Sequence, residues 1–200
     1  WRTYLHAPQQ GDRQADGHRA FRRTAYFRVF DSIINNPRLH EALHRFDYRF
    51  VFLLHPNASS QLADFQVHDE RVEVRAATDD VSYEQLLVSA DLMITDYSGV
   101  QFDFAHMRKP VVYYQPDAIP PHYREDSFDY ERDAFGEVTG SEDELIDLLC
   151  AYLQRDCVVS PRYERRIEDF FGYLDHDNAK RIYQVGREVD RRPDEESHHG

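Results

Sequence analysis

The chain reads as one α/β domain of the Rossmann-like kind, a parallel sheet with helices on both faces. Two observations predict this, and a third bears on its surroundings. Short apolar runs alternate with amphipathic stretches along the chain, as in a parallel sheet covered by helices. Its 200 residues, 41% of them apolar and 14% aromatic, suffice for a core without staples. The two cysteines, Cys150 and Cys157, form neither a disulfide framework nor a metal spacing, which favours a reducing, intracellular compartment. The domain is expected to occupy residues 1–190, with 191–200 a disordered acidic tail.

The elements follow in order. Trp1 to Ala7 begins abruptly inside a strand pattern, as in a piece cut from a longer protein. Residues 8–20 are polar and contain glycine, which predicts a mobile loop. Residues 27–46 hold a helix ending near Arg45. Tyr48 to Leu54 is a strand that enters His55-Pro56-Asn57, where proline stops it. Val72 to Val74 is a short strand, and Thr78-Asp79-Asp80 a loop. Ser82 and Gln85 fit a capping box for a helix carrying Tyr83, Leu86, Leu87 and Ala90.

Asp91 to Thr95 is a buried strand, and Asp96 to Gly99 turns into a helix that ends before Arg108-Lys109-Pro110. Val111 to Tyr114 is the next strand, whose Tyr113 and Tyr114 belong to the core. Residues 115–140 form a long irregular segment rich in aromatics and acids. Ser141 to Glu144 is a second capping box, opening a helix with Leu145, Ile146, Leu148, Leu149 and Tyr152. Residues 161–190 read as two helices joined near Asp175.

Charge and hydropathy exclude some functions. A net charge of -13 argues against nucleic acid or an anionic membrane as partner of this piece. No stretch has the length and apolarity of a membrane span, and no secretory signal is visible. An acidic surface does not forbid a phosphate ligand, because a binding pocket is local and net charge is global.

The sharpest chemical feature is the turn Thr95-Asp96-Tyr97-Ser98-Gly99. A strand ends there and a helix begins, so unpaired backbone N–H groups and about half a positive charge of helix dipole face outward. Such an end holds a diphosphate without a basic side chain. Ser98 adds a hydroxyl, Gly99 allows close approach, and Asp103, one turn further on the same face, is placed to accept ribose hydroxyls. The competing reading makes Ser98 a plain N-cap, Gln101 its capping-box partner and Asp103 a solvated helix residue.

The run "ADLMITDYSGVQFDFAHMRKPVVYY" resembles the "ADxLITDYSSxxFDxxxxxxPxxFY" signature of the CDP-glycerol glycerophosphotransferases, which build teichoic acids and related capsule polymers. Other pieces fall in the expected order: Trp1-Arg2 resembles the end of "PTWR", and His55-Pro56 the "HP" motif. Phe128 to Glu131 is similar to an aromatic-acidic segment, and Asp175 to Ile182 to "DGxxSxRI". The resemblance covers nearly the whole chain and implies the C-terminal, donor-binding half of a GT-B type transferase. The implied reaction moves glycerol phosphate from CDP-glycerol to a polyol-phosphate polymer or lipid-linked acceptor and releases CMP, with no metal required and no other cofactor. The general base is implied to lie on the missing N-terminal half of the same protein, and the whole protein to work in the cytoplasm, peripherally on the inner face of the cell membrane.

The same resemblance assigns roles. His55 is implied as the catalytic residue, its imidazole stabilising charge on the departing CMP. Thr95, Ser98 and Gly99 hold phosphate, with Arg124 and Arg181 neutralising it, and Asp103 holds ribose. The loop with Thr78 and Asp79 faces the cytosine. A surface ion pair is the ordinary alternative for any single arginine in so charged a chain. The chain departs from the pattern in having Gly99 for the second serine of "DYSS", Leu53 for a basic residue, and His176 and Ala179 for glycine and serine in the terminal motif.

Two further features invite chemistry. His40 and His44, at i and i+4, have metal-ligand spacing but no obvious third ligand, which favours a structural role. The acids at 125–133 sit in an aromatic loop and read as a cleft edge rather than a glycosidase pair. Two other functions remain open on these residues: a GT-B glycosyltransferase using a nucleotide-sugar or CDP-ribitol, and a non-catalytic module that kept the fold.

Overall fold

The computed structural model describes residues 12–76, 83–119, 128–175 and 177–190. Every strand pairing in them is parallel. β1 (Phe50–Leu54) pairs in register with β2 (Val72–Ala76), Phe50 opposite Val72 and Leu54 opposite Ala76. β3 (Met93–Thr95), β4 (Val111–Tyr114) and β5 (Val138–Thr139) form a second sheet in that order. Parallel neighbours need crossovers, and the chain supplies them. A 3-10 helix, Pro56–Asp64, follows β1; α4 (Tyr83–Ser89), α5 (Gln101–His106) and α6 (Tyr130–Asp133) follow β2, β3 and β4.

β4 explains how the layers are joined. All four of its side chains are buried, the pattern of a strand covered on both faces. Alternation sends Val112 and Tyr114 to one face, where they pack with Leu54 and Val72 of the first sheet and with Leu145, Ile146 and Leu149 of α7 (Glu142–Gln154). Ile33 and Ile34 of α2 (Ala25–Ile34) and Leu39 and Leu43 of α3 (Pro37–Phe46) complete that cluster. Val111 and Tyr113 go to the other face, against Phe104 of α5 and Ala134. Each fully buried Leu or Ile here contributes about 1.5–3 kcal/mol.

The expected loop at 8–20 is corrected over its described part, because α1 runs Asp12–Arg22. Its polar, glycine-containing sequence is a weak helix former. A carboxylate elsewhere holds it: Asp64 is buried and accepts from His18 Nδ1 at 2.6 Å and Arg22 Nε at 2.7 Å, one helical turn apart. The single helix expected in 27–46 is two. Asn36 caps α3 by accepting from the N–H groups of Arg38 and Leu39, and Pro37 takes the first turn.

The irregular segment 115–140 contains α6 and β5 among its described residues. Ser141 caps α7 as expected, accepting from Glu144 N–H. The carboxylate of Glu144, however, takes the Thr139 hydroxyl at 2.6 Å, and Thr139 Oγ1 accepts the Ser141 N–H. The two terminal helices are α8 (Pro161–Phe170) and α9 (Asn178–Asp190), on either side of Asp175 as the pattern predicted. Lys109, one of two lysines, closes the end of α4 by donating to the carbonyls of Val88 and Ala90 at 2.6 and 2.7 Å. The strand expected at Trp1, the capping box at Ser82 and the tail 191–200 lie outside the described residues.

Candidate functional site at the β3–α5 turn

Parallel pairing puts the carboxyl ends of the strands on one edge of each sheet, the ordinary place for ligands in α/β folds. His55 follows β1 at the edge of the first sheet; its imidazole is exposed, and its carbonyl accepts the Ala58 N–H at 2.7 Å where the 3-10 helix starts. Asp96 to Val100 follows β3 at the edge of the second sheet.

The turn is half-buried, and its amides divide into two groups. Val100 N–H meets Ser98 Oγ at 3.4 Å, Gln101 N–H meets Ser98 O at 3.3 Å, and Phe102 N–H meets Gly99 O at 3.2 Å. Among the described residues no partner takes the N–H groups of Tyr97, Ser98 or Gly99. The backbone donors that the turn leaves for an anion are therefore those three amides. The dipole counts for little, because α5 has only six residues. A Cβ placed on Gly99 meets nothing within 4 Å, so the space over this residue is open.

The capping box of the competing reading, Ser98 with Gln101, is absent. Gln101 is buried and turns inward, its Oε1 accepting from Tyr113 OH at 2.6 Å. Tyr113 OH in turn accepts the Phe135 N–H at 3.3 Å. Burial, and more weakly Tyr130 and Tyr163, keep this phenol protonated well above its ordinary pKa, while the Phe135 N–H works the other way. At the other end of the turn Gln115 Nε2 donates to Asp96 O at 3.1 Å. Tyr97 packs edge-on against Tyr130, which also meets Tyr113 and Phe128. The aromatic-acidic segment thus clasps the turn, and its Asp129 caps α6 by accepting from Glu131 and Arg132 N–H.

Asp103 is exposed, and its charge helps burial to raise the pKa of Tyr83 at the start of α4. Burial and then Asp96 raise the phenols of Tyr97 and of Tyr26 on α2. Carboxylates thus stand near both ends of the turn, so a phosphate seated there depends on amides and on cations brought from elsewhere. Arg181 on α9 is held locally: it grips Asp175 with both terminal nitrogens at 2.6 and 3.1 Å, donates to Asn178 at 2.7 Å, and stacks over Tyr173 at 3.9 Å. Arg124, Thr78 and Asp79 lie outside the described residues. Gln101, Gln115 and Tyr113 escaped sequence reasoning as site residues; the only local signal was a glutamine directly after a wholly apolar strand.

His40 and His44 both approach Asp69 Oδ2, at 3.8 and 3.0 Å, with Arg71 Nε donating to His44 Nδ1 at 3.1 Å and His40 Nε2 meeting Ile34 O. Each imidazole is thus used structurally, and no metal-binding group of three is present among the described residues. No helix among them is long and apolar enough to cross a membrane.

Parallel layers with an amide-bearing turn at the carboxyl edge of β3, a strand only half-buried where the sequence predicted a buried one, define a Rossmann-like α/β domain. The chain belongs to the CDP-Glycerol:Poly(glycerophosphate) glycerophosphotransferase family, whose profile matches residues 6–185. It is 35% identical over 194 residues to the minor teichoic acid biosynthesis protein GgaB of Bacillus subtilis, across 95% of this chain and 21% of that protein. It is 30% identical over 153 residues to a teichoic acid ribitol-phosphate primase of Bacillus spizizenii, across 74% of this chain and 36% of that protein. The chain therefore spans about a fifth to a third of these relatives. Among solved structures, the wall teichoic acid polymerase TagF is similar over 80% of this chain and 50% of its own, with 19% identity and a TM-score of 0.42.

Proposed function

We propose that residues 1–190 form the donor-binding domain of a transferase that moves glycerol phosphate from CDP-glycerol to a teichoic-acid-like polymer. The observation that carries this is the β3–α5 turn, whose Tyr97, Ser98 and Gly99 amides meet no partner among the described residues, in a chain of this family. In this reading the turn and Ser98 Oγ hold the diphosphate, Asp103 accepts the ribose hydroxyls, and the loop with Thr78 and Asp79 meets the cytosine. Arg124 supplies positive charge, and Arg181 joins it by exchanging its grip on Asp175 for phosphate oxygens.

The acceptor hydroxyl attacks the glycerol-bearing phosphorus, the bond to the CMP oxygen breaks, and CMP leaves with the negative charge. His55 stabilises that charge by donating a hydrogen bond from its ring. The hydroxyl proton goes to a base in polypeptide outside these 200 residues, so this chain alone binds donor without turnover. No metal takes part; turnover by the whole protein that survives chelation checks this. The whole protein is placed in the cytoplasm, against the inner face of the membrane where a lipid-linked acceptor lies.

Calorimetric titration of the chain with CDP-glycerol, CDP-ribitol and a UDP-sugar tests the reading. Binding of the cytidine diphosphates in preference to the UDP-sugar is expected. Preference for the UDP-sugar makes the domain a glycosyltransferase half. Absence of heat with any cytidine nucleotide at millimolar concentration sinks the donor reading and leaves a non-catalytic module.

A further inference from the structure

The β4 strand meets the turn at two points from one of its faces. Side chains two apart on a strand point the same way, and Gln115 extends the ladder of β4 through its N–H to Thr139 O at 2.8 Å. Tyr113 therefore reaches Gln101 at the end of the turn, while Gln115 reaches the carbonyl of Asp96 at its start. A peptide unit is planar and trans, with C=O and N–H directed oppositely, and the described chain has no cis bond. With Asp96 O drawn toward Gln115, the N–H of Tyr97 is turned away from that side chain. Peptides in turns rotate as units between two orientations, which is what separates type I from type II, so this choice needs a cause.

We propose that Gln115 is a positioning residue: its side-chain amide sets the orientation of the Asp96–Tyr97 peptide and thereby presents the Tyr97 N–H to the donor diphosphate. The part that concerns the diphosphate rests on the donor reading above. Gln115 itself touches no ligand; it acts through the backbone. Its loss removes one amide from the phosphate cradle and turns a carbonyl oxygen toward the anion in its place.

Two variants test this. Gln115→Met keeps the length and removes the donor. Gln115→Glu places an acceptor against Asp96 O at neutral pH but regains a donor when protonated. Both are expected to weaken CDP-glycerol binding about tenfold or more, the worth of one amide–phosphate contact, with thermal midpoints close to the parent. Acidification is expected to restore affinity, relative to the parent at the same pH, in Gln115→Glu and not in Gln115→Met. Crystal structures of the variants are expected to show the Asp96–Tyr97 peptide rotated. An unrotated peptide in Gln115→Met overturns the proposal whether or not any nucleotide binds. Unchanged affinity in a chain whose parent binds CDP-glycerol overturns it as well. Failure of the parent to bind CDP-glycerol overturns the donor reading, and with it the diphosphate clause alone.

Discussion

Tyr113 and Gln101 share a 2.6 Å hydrogen bond that ties α5 to the middle of the second sheet. It is buried, and the phenol oxygen also takes the backbone N–H of Phe135, so β4, α5 and the segment before β5 converge on one hydroxyl. A buried polar group that loses its partner costs more than the bond contributed, while removing both partners is far milder.

Tyr113→Phe leaves Gln101 Oε1 and the Phe135 N–H without their partner. Chemical denaturation is expected to show a loss of about 1–3 kcal/mol. Adding Gln101→Met to Tyr113→Phe is expected to recover part of that loss, giving a coupling energy of about 1 kcal/mol. Strict additivity of the two changes would mean the pair is not coupled.

Gly136 lies directly behind β4. A Cβ on it would stand 1.5 Å from the carbonyl oxygen of Val111, a backbone atom that cannot swing aside. Gly136→Ala is expected to destabilise the fold by about 3 kcal/mol or more, or to prevent folding at 37 °C, read as a thermal midpoint or loss of soluble protein. A midpoint equal to the parent's would show that the approach is not so close.

Gly99 presents the opposite case. Nothing lies within 4 Å of the position of its Cβ, so Gly99→Ser fits without displacement. It restores the serine of the family pattern and adds a hydroxyl to the β3–α5 turn. Unchanged stability is expected together with tighter CDP-glycerol binding by about threefold to tenfold, the worth of one added hydrogen bond. Weaker binding would place the phosphate against the glycine backbone instead.

Asp69 supplies a pH test. The Arg71 N–H first, then His44 and His40, hold its carboxyl below the ordinary range, against the effect of burial. A depressed carboxyl stabilises the fold above its unfolded pKa of about 3.9, and that contribution is lost as pH falls through the folded value. Stability of the parent should therefore fall below about pH 4 more steeply than that of Asp69→Asn. Parallel acid limbs for the two proteins would remove Asp69 from the account.

Much of the fold was legible because its signals are local. β1, β3 and β4 are short apolar runs, β2 alternates apolar with charged residues, and Ser141 and the residues after it mark the start of α7 within four positions. α1 was not legible, since what makes it a helix is Asp64, 46 positions from His18 and 42 from Arg22. The break at Asn36 was legible too, since Asn directly before Pro37 is a local signal of a cap and a first helical position, but it was passed over. At the site, the position of the turn was readable and the duty of Gln101 was not. Its spacing from Ser98 fits a capping box, yet a phenol buried on the next strand is the stronger partner.

By itself the sequence determined the parallel α/β layering and where the β3–α5 turn falls, because apolar run length, caps and Pro110 act over a few residues. Tertiary structure alone decided what the long polar side chains around the turn serve. Gln101 faces Tyr113, 12 positions away, and Gln115 faces Asp96, 19 positions away. A long polar side chain is directed by whichever donor or acceptor the folded core leaves within about 3 Å, and that neighbour is fixed only when the strands are side by side.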